Sequence, residues 1–198
     1  MTGCDVLVVG AVPTGLVLAL WLSKLGARVR VVDKTGEPGT TSRALAIQAR
    51  TLELCRQLDL ADAVVERARK VPAVNLWARG RKAARISFEE VGVGLSPYPS
   101  LRIFPQDEHE RLLIDRLAAM GGSVERRTEL VGFRDEGDRV VAELRHADKG
   151  DETVEATYIA GCDGARSFVR ENDRRRISGR NLSPTLLRRR RCGVRRPH

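Results

Sequence analysis

Apolar residues fall into short blocks along this chain, and the spacing inside each block predicts an element. The stretch DVLVV at residues 5–9 has no polar alternation, the pattern of a central parallel strand covered on both faces. From residue 14 to 25 apolar side chains run along the whole segment, which predicts a helix, and Gly26 is a natural stop. RVRVV at 28–32 predicts a second strand that ends at Asp33. Strand, helix and strand in this order make a βαβ unit.

Further along, residues 41–60 read as a loop carrying Ser42-Arg43 followed by a helix. Residues 71–77 and 84–88 predict paired strands around the turn Arg79-Gly80-Arg81, with a loop-like stretch over 92–99. Residues 104–122 give a turn containing Gln106 and then an amphipathic helix. A strand-rich stretch covers 124–127, 130–134, 139–145 and 154–159, with turns at Gly137-Asp138 and at Lys149-Gly150-Asp151. Its last strand delivers Asp163-Gly164 at its carboxyl end, where open α/β sheets bind ligands. Ser167 is expected to cap a final short helix, and no internal repeat is visible.

Composition fits a soluble globular chain, 42% hydrophobic and 31% charged over 198 residues. The longest apolar run, residues 16–22, is far short of a bilayer span, and no signal peptide is expected, since no cationic and apolar leader pattern is read before the first strand. Cys4, Cys55, Cys162 and Cys192 are scattered, as expected of reduced thiols in a cytoplasmic protein, not of a disulfide frame or zinc site. The formal charge of +9 is not spread evenly: residues 170–198 hold 11 arginines against Glu171 and Asp173, and residues 1–169 hold 24 charges of each sign. The folded body is therefore neutral, which argues against a nucleic-acid-binding surface on it.

The chemistry begins at Gly10. A dinucleotide fingerprint reads G-x-G-x-x-G, and this loop supplies Gly10, Val12 and Gly15, with valine at the second glycine position. The branched Cβ of Val12 is expected to intrude where the backbone would approach a pyrophosphate, and a positive φ there would suit valine badly. Pro13, Thr14 and Gly15 open the helix, whose free N–H groups would face the pyrophosphate. Asp33, 23 residues after Gly10, is placed to accept hydrogen bonds from ribose hydroxyls. An ordinary βαβ unit with no ligand is the alternative reading of this loop.

With Ser42-Arg43, the Gln106 turn and the GCDGARS stretch at residues 161–167, the chain resembles the FAD-dependent aromatic hydroxylases of the p-hydroxybenzoate hydroxylase class, most closely the phenol- and polyketide-hydroxylating branch. The resemblance covers roughly residues 4–170. It implies an α/β fold: a Rossmann-like FAD-binding domain (1–70 and 101–170) with an antiparallel hairpin layer, and a fragment of a substrate-domain sheet (71–100). It implies that Gly10 and Gly15 serve the pyrophosphate loop and that Asp33 binds ribose. Arg43 would lie beside FAD and the path of the reductant, Gln106 would contact the flavin side, and Asp163 and Gly164 would serve both FAD and NAD(P)H. The residues leave duller roles open: a solvated loop arginine for Arg43, a helix start with Asp107 as cap for Gln106, a turn for Asp163. His109 and His146 are expected at the surface, and no catalytic triad, metal cluster or Walker loop is read.

What the resemblance implies for activity is NAD(P)H-dependent hydroxylation of a phenolic or polyketide-like aromatic substrate. Past Arg170 the family pattern is lost, and residues 171–198 carry ten arginines and only six apolar side chains. Such a stretch is expected to be disordered. A shifted reading frame near Arg170 and a truncated, inactive product is one expectation. A non-catalytic nucleotide-binding remnant, or a cationic binder of nucleic acid or anionic surfaces, is the other.

Overall fold

The computed structural model describes residues 3–39, 46–89 and 92–172. Strand β1 (Cys4–Val9), helix α1 (Pro13–Lys24) and strand β2 (Val29–Asp33) form the expected first unit. Strand β3 (Ala46–Ile47), helices α2 (Ala49–Gln57) and α3 (Ala61–Arg67) and strand β4 (Arg69–Lys70) follow. α2 is the helix expected within residues 41–60, α3 is a further helix in a stretch for which the sequence predicts no element, and Asp59 at a left-handed φ of 59° separates the two. Strands β5 (Ala73–Ala78) and β6 (Arg81–Ser87) form a hairpin whose turn has positive φ at both Arg79 and Gly80. Then come β7 (Arg102–Ile103), α4 (Gln106–Ala119), β8 (Val124–Arg126), β9 (Thr128–Asp135), β10 (Val140–His146) and β11 (Gly150–Gly161). A 3₁₀ turn at Gly164–Arg166 and helix α5 (Phe168–Asn172) complete the described chain.

The main sheet runs β8-β2-β1-β11-β10-β9. β8, β2, β1 and β11 are parallel, and β11 then turns the sheet into an antiparallel ladder with β10 and β9. Alternation along the central strands assigns each face. Val6, Val8 and Val31 pack with Leu16, Leu20, Leu113 and Leu117 of α1 and α4, whereas Leu7, Val9 and Val32 pack with Leu130, Ala142, Leu144 and Val154 of the β9–β11 layer. The sheet is thus covered on both sides, which is why DVLVV shows no polar alternation. Each fully buried valine or leucine contributes about 1.5–3 kcal/mol relative to exposure.

One charged group ties the layers together. The Arg30 guanidinium, its side chain 16% exposed, meets Glu125 of β8 at 2.6 Å and Glu152 of β11 at 2.6 Å. These two carboxylates raise the Arg30 pKa above its ordinary value. His146 Nε2 reaches the same Glu152 at 2.8 Å, and its Nδ1 lies 3.1 Å from Thr128 Oγ1. The expected surface position of His146 is therefore corrected: it is half-buried at the junction of the two layers.

Two smaller sheets accompany the main one: β3-β7-β4, whose Ile47 joins the core of Val6, Val8 and Leu16, and the β5–β6 hairpin. The hairpin is exposed along almost its whole length, with Trp77 67% exposed. Among the described residues no helix is long and apolar enough to cross a membrane.

Candidate cofactor site

β1 ends at Val9 and the chain turns through Gly10, whose φ of 105° only glycine adopts without strain. The Gly10 N–H donates to the Val32 carbonyl at 2.8 Å, and the Cys162 N–H donates to the Val9 carbonyl at 2.7 Å. Gly10 therefore sits between the carboxyl ends of β2 and β11. A Cβ on Gly10 would overlap the Cys162 carbonyl, and one on Gly15 would overlap the Gly10 carbonyl oxygen. Both outer glycines are required by close packing of strand end, helix start and neighbouring strand.

Val12 stands at the second glycine position of the fingerprint. It is the N-cap of α1 with φ −86° and ψ 172°, ordinary extended backbone, so the loop needs no positive φ there. Its side chain is 38% exposed. Pro13 begins the helix, no side chain among the described residues caps it, and no acidic residue stands in its first turn. The N–H groups of Thr14 and Gly15 precede the first intrahelical bond, from Leu16 N–H to the Val12 carbonyl at 3.0 Å. An uncapped helix start preceded by a tight glycine turn suits an anion.

Asp33 closes β2 and is 9% exposed. Its Oδ2 accepts from Ala11 N–H at 2.7 Å, and its Oδ1 accepts from the Thr35 N–H at 2.8 Å and the Thr35 hydroxyl at 2.6 Å. The bond from the N–H two residues on is an Asx turn, which orients the carboxylate toward the glycine loop. Arg126, opposite Asp33 in the β2–β8 register, brings Nη1 to 3.6 Å from Oδ2. Thr35 is not among the residues singled out from the sequence, although an Asp followed two residues on by Thr carries a local turn signal. Arg126 carries none, since only strand pairing places it there.

Asp163 stands two residues beyond Gly161, the last residue of β11. Its Oδ2 accepts from the Phe168 N–H at 2.6 Å, and its Oδ1 is buried with no hydrogen-bond partner among the described residues. Gly164 has φ 82° with open space around it, so conformation and not crowding calls for glycine. Ser167 accepts from the Arg170 N–H at 3.1 Å through Oγ, the capping role expected of it. Gly10, Asp33 and Asp163 thus converge at the carboxyl ends of three adjacent strands, β2-β1-β11.

Gln106 comes from a different element. It is the first residue of α4, the cap position belongs to Pro105, and Asp107 caps nothing. Its amide donates to Glu110 at 2.8 Å, and Glu110, 2% exposed, also accepts from the Gly39 N–H at 3.2 Å. Glu110 carried no sequence signal, because one acid in a charged helix reads as solvated. Its neighbour His109 is also not a surface residue. His109 packs on Phe104 with ring centroids 5.8 Å apart, its Nε2 is buried without a partner among the described residues, and burial pushes its pKa down. Arg43 lies outside the described residues, as do the arginine-rich stretch 173–198 and Cys192 within it.

Other reactive groups are quiet. Cys4, Cys55 and Cys162 are free, and burial pushes each thiol up, away from the nucleophilic thiolate. Glu125, His146 and Glu152 bring metal-ligand atoms within 4.8 Å of one another, but Arg30 already holds both carboxylates. The guanidinium takes the place a divalent cation would need.

The residues fit an adenine dinucleotide. The uncapped α1 start suits a pyrophosphate, the Asp33 carboxylate a ribose, and the buried unpartnered Asp163 Oδ1 a hydroxyl donor. Comparison with known proteins agrees: the family model described as an FAD binding domain matches residues 3–183. The chain belongs to the FAD-binding domain family. The match runs beyond Arg170, where the sequence pattern alone was read as ending. A 6-methylpretetramide 4-monooxygenase of Streptomyces rimosus is 43% identical over 179 residues, which cover 89% of this chain and 31% of that protein. A rifampicin monooxygenase of Rhodococcus hoagii is 36% identical, covering 84% and 33%. Among solved structures, aklavinone-11 hydroxylase in complex with FAD and aklavinone superposes with a TM-score of 0.77 at 33% identity, covering 86% of this chain and 35% of that one. The chain thus spans about a third of the length of the curated relatives it matches.

Proposed function

We propose that this chain is the FAD-holding portion of an NAD(P)H-dependent monooxygenase that hydroxylates a phenolic or polyketide-like aromatic compound. The observation that carries the reading is the convergence of Gly10, Asp33 and Asp163 at the ends of three adjacent parallel strands, with the uncapped start of α1 beside them. The names of the relatives, a 6-methylpretetramide 4-monooxygenase and an aklavinone-11 hydroxylase among them, support the reaction class. FAD, reduced by NAD(P)H, supplies the oxygen-activating chemistry. The residues of this chain bind and orient it: the Thr14 and Gly15 N–H groups at the pyrophosphate, Asp33 at the adenosine ribose, Asp163 and Gln106 toward the ribityl and flavin half. We propose no catalytic side chain in these 198 residues and no hydroxylation by them alone, because a reactive flavin needs an enclosed, dry pocket.

The test is reconstitution. The purified protein mixed with FAD and desalted is expected to keep flavin absorbance, and Asp33→Ala to lose most of it. No product is expected when phenols and NAD(P)H are added to the loaded chain. A native protein that retains neither FAD nor ADP would instead be a remnant without a working nucleotide site, and hydroxylated product above a no-enzyme control would show that the chain suffices by itself.

A further inference from the structure

Glu110 is a carboxyl group almost fully buried on a helix whose other inward residues include Leu112, Leu113 and Leu117. Burying it costs free energy that the packing of α4 does not require. Among the described residues no cation lies within ion-pair distance of it. Its partners are two neutral donors, the Gln106 side-chain amide at 2.8 Å and the Gly39 N–H at 3.2 Å. These two belong to different parts of the molecule: Gln106 opens α4, and Gly39 lies six residues after Asp33 on the connection leaving β2.

The chemistry of the pair is directional. A carboxylate only accepts hydrogen bonds, so it dictates that the NH₂ end of the Gln106 amide faces Glu110 and the carbonyl end faces away. A neutral amide at position 110 imposes no such order, since it accepts and donates alike. We propose, resting on the cofactor reading above, that Glu110 is a positioning residue for the flavin half of the cofactor. It fixes which end of Gln106 is presented and holds the connection after β2 against the same helix. A purely structural i,i+4 helix bond would leave the ligand preference untouched, and this separates the two roles.

The experiment is a double-mutant cycle on the full chain, read with two ligands. FAD and ADP share the adenosine and pyrophosphate half, and only FAD carries the half that Gln106 would meet. Glu110→Gln is isosteric, and it is expected to weaken FAD binding about five-fold, the loss of one well-oriented hydrogen bond, while ADP binding stays within about two-fold. Gln106→Ala is expected to weaken FAD similarly, and the double variant no further, because Glu110 acts through Gln106. A ligand-free readout accompanies the cycle: the Gln106 side-chain amide protons, followed by ¹⁵N NMR, exchange slowly in the native protein and rapidly in Glu110→Gln. Additive losses, equal losses for FAD and ADP, or unchanged Gln106 amide exchange would each overturn the proposal, as would a native chain that binds ADP but not FAD. A native chain that binds neither ligand overturns the cofactor reading itself, and this role with it.

Discussion

At the scale of single residues, the glycine loop separates positions that must be glycine from one that need not be. A Cβ at Gly15 overlaps the Gly10 carbonyl, part of a backbone turn that the Gly10 N–H pins to Val32 of β2. Gly15→Ala is expected to destabilise the fold by about 3 kcal/mol or more, read as a fall in urea midpoint. Val12 already has a permitted backbone conformation, so Val12→Gly relieves no strain and loosens the unfolded chain, lowering stability by up to about 1 kcal/mol. The branched side chain still flanks the uncapped helix start. Removing it is expected to tighten ADP and FAD alike by about 1 kcal/mol, roughly five-fold, in a titration of both proteins. Unchanged affinity would mean that the methyls stand clear of the phosphate path.

At the scale of elements, α4 carries an acid-sensitive contact. His109 is pressed against Phe104, and burial lowers its pKa below the ordinary 6.5, with the neighbouring Glu110 opposing in part. In the unfolded chain the imidazole takes up a proton near its ordinary value, and in the fold it resists. The contribution of this group to stability is therefore full above pH 6.5 and is lost as pH falls from there toward the lowered value. His109→Phe keeps a ring against Phe104 and cannot be protonated. Its melting temperature is expected to fall less than that of the native protein between pH 7 and pH 5, and parallel curves would show that His109 titrates freely in the fold.

At the scale of the whole molecule, the parallel sheet and the β9–β11 layer share strand β11 and are joined at one edge by Arg30, Glu125 and Glu152. Arg30→Met leaves two part-buried carboxylates facing each other beside His146 without their cation. A loss of about 3 kcal/mol is expected from chemical denaturation, reflecting the unpaired charges more than the net worth of the bridges. The triple variant Arg30→Met, Glu125→Gln, Glu152→Gln is expected to recover most of it. Failure to recover would mean that the guanidinium acts by packing alone.

The first βαβ unit, its glycine loop and Asp33 were legible from order and spacing, because a doubly covered strand, an apolar helix and a chain reversal each impose a local pattern. The β5–β6 turn and the cap at Ser167 were legible for the same reason. What tertiary structure decided has no local trace. The φ of Val12 is set by how α1 meets the strand ends. The burial of Glu110 and His109 depends on which face of α4 the sheet and the β2 connection cover. The pairings of Arg30 with Glu125 and of Arg126 with Asp33 arise from strand register between segments more than 90 residues apart in sequence. A charged residue looks alike in sequence whether it faces water or a neighbouring strand, and only packing distinguishes the two.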